Sequence, residues 1–104
     1  MTDRPPLDIV LAPTRQQARW YCADLPPSTV VIVTPNNVER LFGLRPVPGD
    51  RTWDVGDWDV GVWRSIRPPH AIRNEAVAVL RREGFPDPYR LADGERIPPR
   101  GLSA

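Results

Sequence analysis

The stretch LDIVLAPTRQQARWYCADLPPSTVVIV, residues 7–33, decides the fold of this 104-residue chain. Its two ends, residues 7–12 and 29–33, are short and rich in branched aliphatic residues, which is typical of strands. Between them Thr14 is a helix-capping residue, and apolar residues recur at helical spacing until two prolines end the pattern. These apolar positions are Ala18, Tyr21, Cys22 and Leu25. A strand, a helix and a second strand in this order predict a parallel βαβ unit.

The same pattern continues along the chain. It predicts a second helix near residues 36–43, a third strand within 51–63 and a third helix near 70–83. The fold class is therefore α/β, a small Rossmann-like domain of two or three layers with a three-stranded parallel sheet. The continuous apolar run of residues 29–33 favours a central second strand. Both crossover helices would then cover one face of the sheet and leave the other face short of cover.

Two segments leave alternatives open. We assign residues 1–85 to the domain and residues 86–104 to a tail rich in proline and arginine. The tail is either flexible or docked through Tyr89, Leu91 and Ile97. The sequence Trp-Asp-Val-Gly occurs twice within residues 52–63, which fits either a hairpin or, as we favour, one strand followed by an irregular excursion.

Charge and composition exclude several classes of function. The net charge is only +1, too small for a strongly electrostatic binder of nucleic acid. All 14 basic residues are arginine, which excludes a Schiff-base or P-loop lysine. The arginines reflect either a GC-rich genome, which we favour, or an arginine-rich recognition surface. With no apolar run of membrane-spanning length and no signal-peptide core in residues 1–7, we expect a cytoplasmic protein.

Candidates for catalysis are few. His70 follows two prolines at a helix start, where a surface or capping role is favoured. Cys22, the only cysteine, lies on an apolar helix stripe and is expected to be a buried, inert thiol. Asp54, Asp57 and Asp59 match no calcium-loop spacing and are expected on a solvent face. The chain also lacks both glycine-rich phosphate motifs, so we expect no enzyme, no cofactor and no metal site.

Two groups of residues are candidates for binding. Three tryptophans recur every five residues, and large aromatic residues favour either a protein interface or the core. They are Trp53, Trp58 and Trp63. A second group lies where predicted strands end near helix starts, an arrangement that suits either an anionic ligand or, as we favour, simple helix capping. It comprises Thr14, Arg15, Thr34, Asn36 and Asn37.

Two resemblances accompany these features. Residues 10–18 and 33–41 are similar to the "LAPTRELA" and "TPGRL" segments of superfamily-2 helicases. The chain has no Walker A or Asp-Glu-Ala-Asp segment, so we interpret this similarity as a shared strand-to-helix pattern. The layout of residues 7–84, with ERLFGLR at 39–45, resembles small Rossmann-like accessory proteins of actinobacteriophages. That resemblance implies a non-structural protein that binds and alters a host protein.

The expected function is therefore a non-enzymatic, phage-derived module that binds a host or phage protein in the cytoplasm of a bacterial cell. At least one of the three tryptophans is expected to contact another chain, and a homo-oligomer remains an alternative. The second hypothesis is a binder of nucleic acid or a phosphate ligand at the carboxyl edge of the sheet. The third is an enzyme with an unrecognised site.

Overall fold

The computed structural model describes residues 4–35, 37–58, 69–92 and 94–99. Within these residues a parallel sheet of four strands forms the centre of the fold, in the order β2-β1-β3-β4. The strands are β1 (Asp8–Leu11), β2 (Val30–Val33), β3 (Arg51–Asp54) and β4 (Tyr89–Arg90). The helices are α1 (Arg15–Tyr21) and α2 (Pro69–Glu83), with 3₁₀ helices at Pro27–Thr29 and Val38–Leu41. The predicted Rossmann-like α/β class is confirmed.

The first two strands pair in parallel, as predicted. Asp8 is opposite Val30 and Leu11 is opposite Val33, while the other side of β1 pairs with β3 in the same direction. The central position of the second strand was wrong, because β1 is central and β2 lies at the edge. The apolar run did not distinguish a central strand from an edge strand, and three of the four residues of β2 are only half-buried.

The domain has three layers. One face of β1 and β3 packs against α1 and the segment around Leu91 and Ile97, and the other face packs against Val38–Leu41 and α2. This follows from the strand order, because the connection from β1 to β2 and the connection from β2 to β3 run in opposite directions across the sheet, so right-handed crossovers place them on opposite faces. The prediction that both crossovers cover one face and leave the other face short of cover is therefore wrong.

A fourth strand comes from the segment assigned to the tail. Trp53 of β3 pairs in parallel with Tyr89 of β4. Beyond β4, Leu91 and Ile97 are buried, and Ile97 N donates a hydrogen bond to Tyr21 O at 3.0 Å. The sheet thus has four strands rather than three, and β3 is not an edge strand. The short strand escaped prediction because Pro86 and Pro88 precede it and only two of its residues pair.

Local signals set most of the helix ends. Thr14 caps α1 by accepting a hydrogen bond from Gln17 N at 3.1 Å, but α1 ends at Tyr21, before the predicted Leu25. The second predicted helix forms only a 3₁₀ turn, whereas α2 ends at Glu83 and is followed by Gly84, whose φ of 93° is left-handed. After β3 ends at Asp54 the chain has no strand through Trp58. Residues 59–63, which would complete a hairpin, lie outside the described residues.

Candidate functional site

The two tryptophans that the structure describes belong to the core. Trp53 is 9% exposed and donates from Nε1 to Asp8 Oδ1 at 3.1 Å. Trp58 is 4% exposed and donates from Nε1 to Asp54 Oδ1 at 2.8 Å. Because β4 pairs with β3, Trp53 does not lie at an open sheet edge, and both side chains expose less than a tenth of their surface. The third interface candidate, Trp63, lies outside the described residues.

The candidates at the carboxyl edge are partly used as caps. Thr14 caps α1, and the Thr34 backbone N–H and hydroxyl both donate to Asn37 Oδ1. Thr14 therefore has the capping role favoured from the sequence, whereas Asn37 stands at the N-cap position of Val38–Leu41 without a side-chain cap hydrogen bond and bonds back to Thr34 instead. Arg15 differs from them, because its side chain is exposed and forms no hydrogen bond with the described residues. Asn36 lies outside the described residues.

The crevice between β1 and β3 is filled. Ligands of sheets with this strand order bind there, beyond the carboxyl ends of the strands. Here Gln17 Oε1 accepts a hydrogen bond from Asp57 N at 3.0 Å and so closes the crevice. A Cβ added at Gly56, whose φ is 84°, would lie 2.8 Å from Pro13 Cδ. Among the described residues, Gln17 and Pro13 thus lie against the backbone at the position where such sheets commonly bind a nucleotide phosphate.

Among the residues considered for catalysis or metal binding, Cys22 and Asp54 are buried, so the expectation that Asp54 lies on a solvent face was wrong. Asp57 is exposed, and Asp59 lies outside the described residues. Cys22 is buried, and burial, aided by the negative charge of Asp8, raises the pKa of its thiol to about 11. The Asp54 carboxylate accepts hydrogen bonds from Trp58, Arg73 and Arg90. No group of three or more histidine, cysteine or acidic residues suited to a metal occurs among the described residues. His70 lies in the first turn of α2.

A groove of about 590 Å³ lies beside β2, on the face of the sheet that carries α1. We call it the β2 groove. Its apolar floor comprises Leu25, Val30 and Ile32, and its rim carries Arg15, Arg19 and Arg40. Val30 and Ile32 are only half-buried, because α1 covers the centre of the sheet more fully than it covers β2. A shortage of cover therefore exists at β2, but on the face that carries α1 and not on the opposite face, where it was predicted.

The three rim arginines are exposed and free of ion pairs within the described part of the chain. Most other described arginines have a partner, such as Arg4 with Asp50 and Arg51 with Asp8. Arg15 and Arg19 are four residues apart on α1, and Arg40 follows the carboxyl end of β2. Unpaired guanidinium groups around an apolar floor suit a ligand that carries both carboxylate or phosphate groups and apolar groups.

At one position on the outer edge of β2, backbone groups have no hydrogen-bond partner among the described residues. Ala12 N donates to Val33 O, so Val31 and Val33 face β1, and the backbone groups of Val30, Ile32 and Thr34 point outward. Most of these outward groups are occupied. Val30 N donates to Pro27 O, and Thr34 O accepts a hydrogen bond from Asn37 N. The Asn37 side chain donates to Ile32 O at 3.2 Å and accepts from Thr34 N.

The remaining outward groups are Val30 O and Ile32 N. Within the described residues neither has a hydrogen-bond partner. They flank Val31 at the middle of the strand, directly beside the β2 groove. An open donor and acceptor on an edge strand form a template for one further strand.

Sequence reasoning missed this groove. The signal was present in Arg15 and Arg19, whose spacing of four places both on one side of a helix. Which arginines lack partners could not be read from the sequence, because ion pairs such as Arg4 with Asp50 join distant positions. The edge position of β2 could not be predicted either, since local sequence patterns do not determine the order of the strands.

Comparison with known proteins finds no matching family model, and no curated protein or solved structure is significantly similar to the chain. The fold and the groove therefore define only a class, a small doubly wound α/β domain with an arginine-rimmed groove at one sheet edge. No helix among the described residues is long and apolar enough to cross a membrane.

Proposed function

We propose that this chain is a non-enzymatic protein-binding module and that its binding surface is the β2 groove. One observation carries the proposal: Arg15, Arg19 and Arg40, which form no ion pair with the described residues, surround one apolar floor. A groove with an apolar floor and a charged rim has the composition of a binding surface, in which apolar contact supplies affinity and charge supplies specificity.

The position of Arg15 supports binding rather than stability as the reason for the rim. Arg15 is the first residue of α1, whose first turn contains no acidic residue. The amino end of a helix carries partial positive charge, so a cation there is unfavourable by a few tenths of a kcal/mol. A ligand carboxylate beside Arg15 would remove this repulsion and pair with the guanidinium.

A phosphate or nucleic-acid ligand is less well supported. The arginines would suit phosphate, but none of the described residues that line the groove is aromatic, so these residues provide no stacking platform for bases. The crevice that commonly binds phosphate in such sheets is filled by Gln17 and Pro13. A protein partner uses both the apolar floor and the charged rim.

The resemblance to small actinobacteriophage accessory proteins gives the proposal its biological setting. We propose a phage-encoded protein that acts in the cytoplasm of a bacterial host, where it binds and modulates a host or phage protein. The mode of action is occupancy of the partner's surface, because the described residues that line the groove are arginines, apolar residues and Cys22, whose buried thiol has a raised pKa and is a poor nucleophile.

The proposal is tested by affinity capture with matched charge variants. The groove variant carries Arg15→Glu, Arg19→Glu and Arg40→Glu, and the control carries Arg45→Glu, Arg81→Glu and Arg82→Glu, which change the same charge at exposed positions away from the groove. A partner must be captured by the wild type and the control, be lost with the groove variant, and show the same pattern when purified. Thermal unfolding confirms that both variants fold.

If every captured protein binds the groove variant as well as the wild type, the β2 groove is not the binding surface. Equal losses with both triple variants would show that binding depends on overall charge. Turnover of a small-molecule substrate by the purified chain would contradict the non-enzymatic part of the proposal.

A further inference from the structure

We infer that the segment bound in the β2 groove is acidic and extended, and that it adds to the sheet as a strand beside β2. This inference rests on the proposed binding function and specifies the chemistry of the partner. It combines two independent observations, the open backbone groups Val30 O and Ile32 N and the unpaired arginines on the groove rim.

The open backbone groups fix where the segment pairs. In a sheet, an extended chain beside Val31 would donate to Val30 O and accept from Ile32 N. The pairing cannot extend far toward the carboxyl end, because the Asn37 side chain occupies Ile32 O and Thr34 N. It cannot extend toward the amino end through Val30 N, which already donates to Pro27 O. The added strand is therefore short.

A pairing of this length needs help from side chains. Two backbone hydrogen bonds replace bonds to water and contribute only modestly to net affinity. Alternate side chains of the added strand would face the same side as Val30 and Ile32 and cover their half-buried surface. Acidic residues in the segment would reach Arg15, Arg19 and Arg40 on the rim. Recognition by strand addition uses this division between backbone pairing and alternate side-chain pockets.

The charge of the rim argues against a second copy of the chain as the occupant. Pairing of two β2 edges would bring three unpaired arginines from each copy to one interface. Like charges placed together at an interface oppose association. An acidic segment from a different protein removes that repulsion and satisfies the guanidinium groups.

The test uses a short synthetic peptide of alternating glutamate and valine as the probe. Its controls are an alternating lysine and valine peptide and the acidic peptide N-methylated at alternate residues, which keeps its charge but loses backbone donors. We expect the acidic peptide to bind at least about tenfold more tightly than either control. At saturation, amide hydrogen exchange at Ile32 should slow, while Ile9, in the central strand β1, serves as the internal reference.

Three results would overturn the inference. Binding of the acidic peptide with unchanged exchange at Ile32 would exclude strand addition, although a charge-dependent groove and the proposed function would survive. Equal affinity of the N-methylated and the unmodified acidic peptide would likewise exclude strand addition and leave the proposed function intact. Tighter binding of oligo-dT than of the acidic peptide, lost with Arg19→Glu, would make nucleic acid the ligand and overturn the proposed function as well.

Discussion

Asn37 Nδ2 donates a hydrogen bond to Ile32 O at 3.2 Å, so a side-chain amide occupies a position where a neighbouring strand would pair. The same side chain accepts from Thr34 N through Oδ1. Natural sheets protect their edges from unwanted pairing, and here one amide covers the carboxyl half of the β2 edge. The uncovered half coincides with the β2 groove, which is what a specific binding edge requires.

Removing the Asn37 amide should destabilise the domain. Asn37→Ala leaves Ile32 O and Thr34 N without their partner, and we expect the free energy of unfolding to fall by about 1–2 kcal/mol. Chemical denaturation measures this loss. The matched control is Asn74→Ala on the exposed side of α2, expected to change the free energy by about 0.5 kcal/mol or less. Equal stability of Asn37→Ala and wild type would show that the amide does not protect the edge.

Arg15→Glu should separate binding from stability. An acidic residue in the first turn of α1 is favoured by the helix dipole, so we expect a stability gain of about 0.3–1 kcal/mol. Affinity for the acidic peptide should fall at the same time, because a groove cation becomes an anion. Thermal unfolding and calorimetric titration of one preparation check both changes. A variant that is less stable and binds normally would contradict this account of Arg15.

Trp58 should behave as a core residue. Trp58→Phe removes the Nε1 donor to Asp54 and leaves a small cavity, and we expect a loss of about 1–3 kcal/mol in the free energy of unfolding. The control is Trp20→Phe at a side chain that is 45% exposed, for which a loss of about 1 kcal/mol or less is expected. Folded Trp58→Phe should keep its affinity for the acidic peptide. Normal stability with lost binding would restore Trp58 as an interface residue.

The pair formed by Arg4 and Asp50 should make stability depend on pH in the acid range. Burial alone would raise the pKa of Asp50, but hydrogen bonds from Arg4, Leu7 N and Val47 N outweigh it and hold that pKa below 3.8. The carboxylate therefore stabilises the fold above its unfolded pKa, and this contribution is lost as the pH falls through the lower folded pKa.

Asp50→Asn provides the measurement for this pair. Its deficit in unfolding free energy relative to wild type should be constant above about pH 5 and should shrink as the pH is lowered below 3.8. Urea denaturation across this range gives the two curves. A deficit that stays constant down to about pH 2 would show that the Asp50 carboxylate has no depressed pKa.

The sequence predicted the parts of the fold that depend on local patterns. The branched runs at residues 7–12 and 29–33, the Thr14 cap and the Gly84 stop all appear in the structure at or near the predicted positions. The strand order could not be predicted from the sequence, because an apolar run such as Val30–Val33 does not show how many strands lie beside it. For the same reason Trp53 was assigned to an edge that β4 in fact covers.

The candidate site was only partly accessible from the sequence. Arg15 was a candidate as a cation near a helix start, and it does lie on the groove rim. Its companions Arg19 and Arg40 were missed, because the sequence does not reveal which arginines are paired within the fold. The pairing of Arg51 with Asp8 and of Arg73 with Asp54 depends on tertiary contacts between distant residues.

The most direct test of the β2 groove as the binding surface compares two single charge reversals by calorimetric titration with the acidic peptide. Arg19 lies on the groove rim, whereas Arg45 is an exposed arginine outside it. We predict that Arg19→Glu weakens binding by about tenfold or more, while Arg45→Glu changes it by less than about twofold. Equal affinities for the two variants, whether both normal or both reduced, would contradict the assignment of the groove.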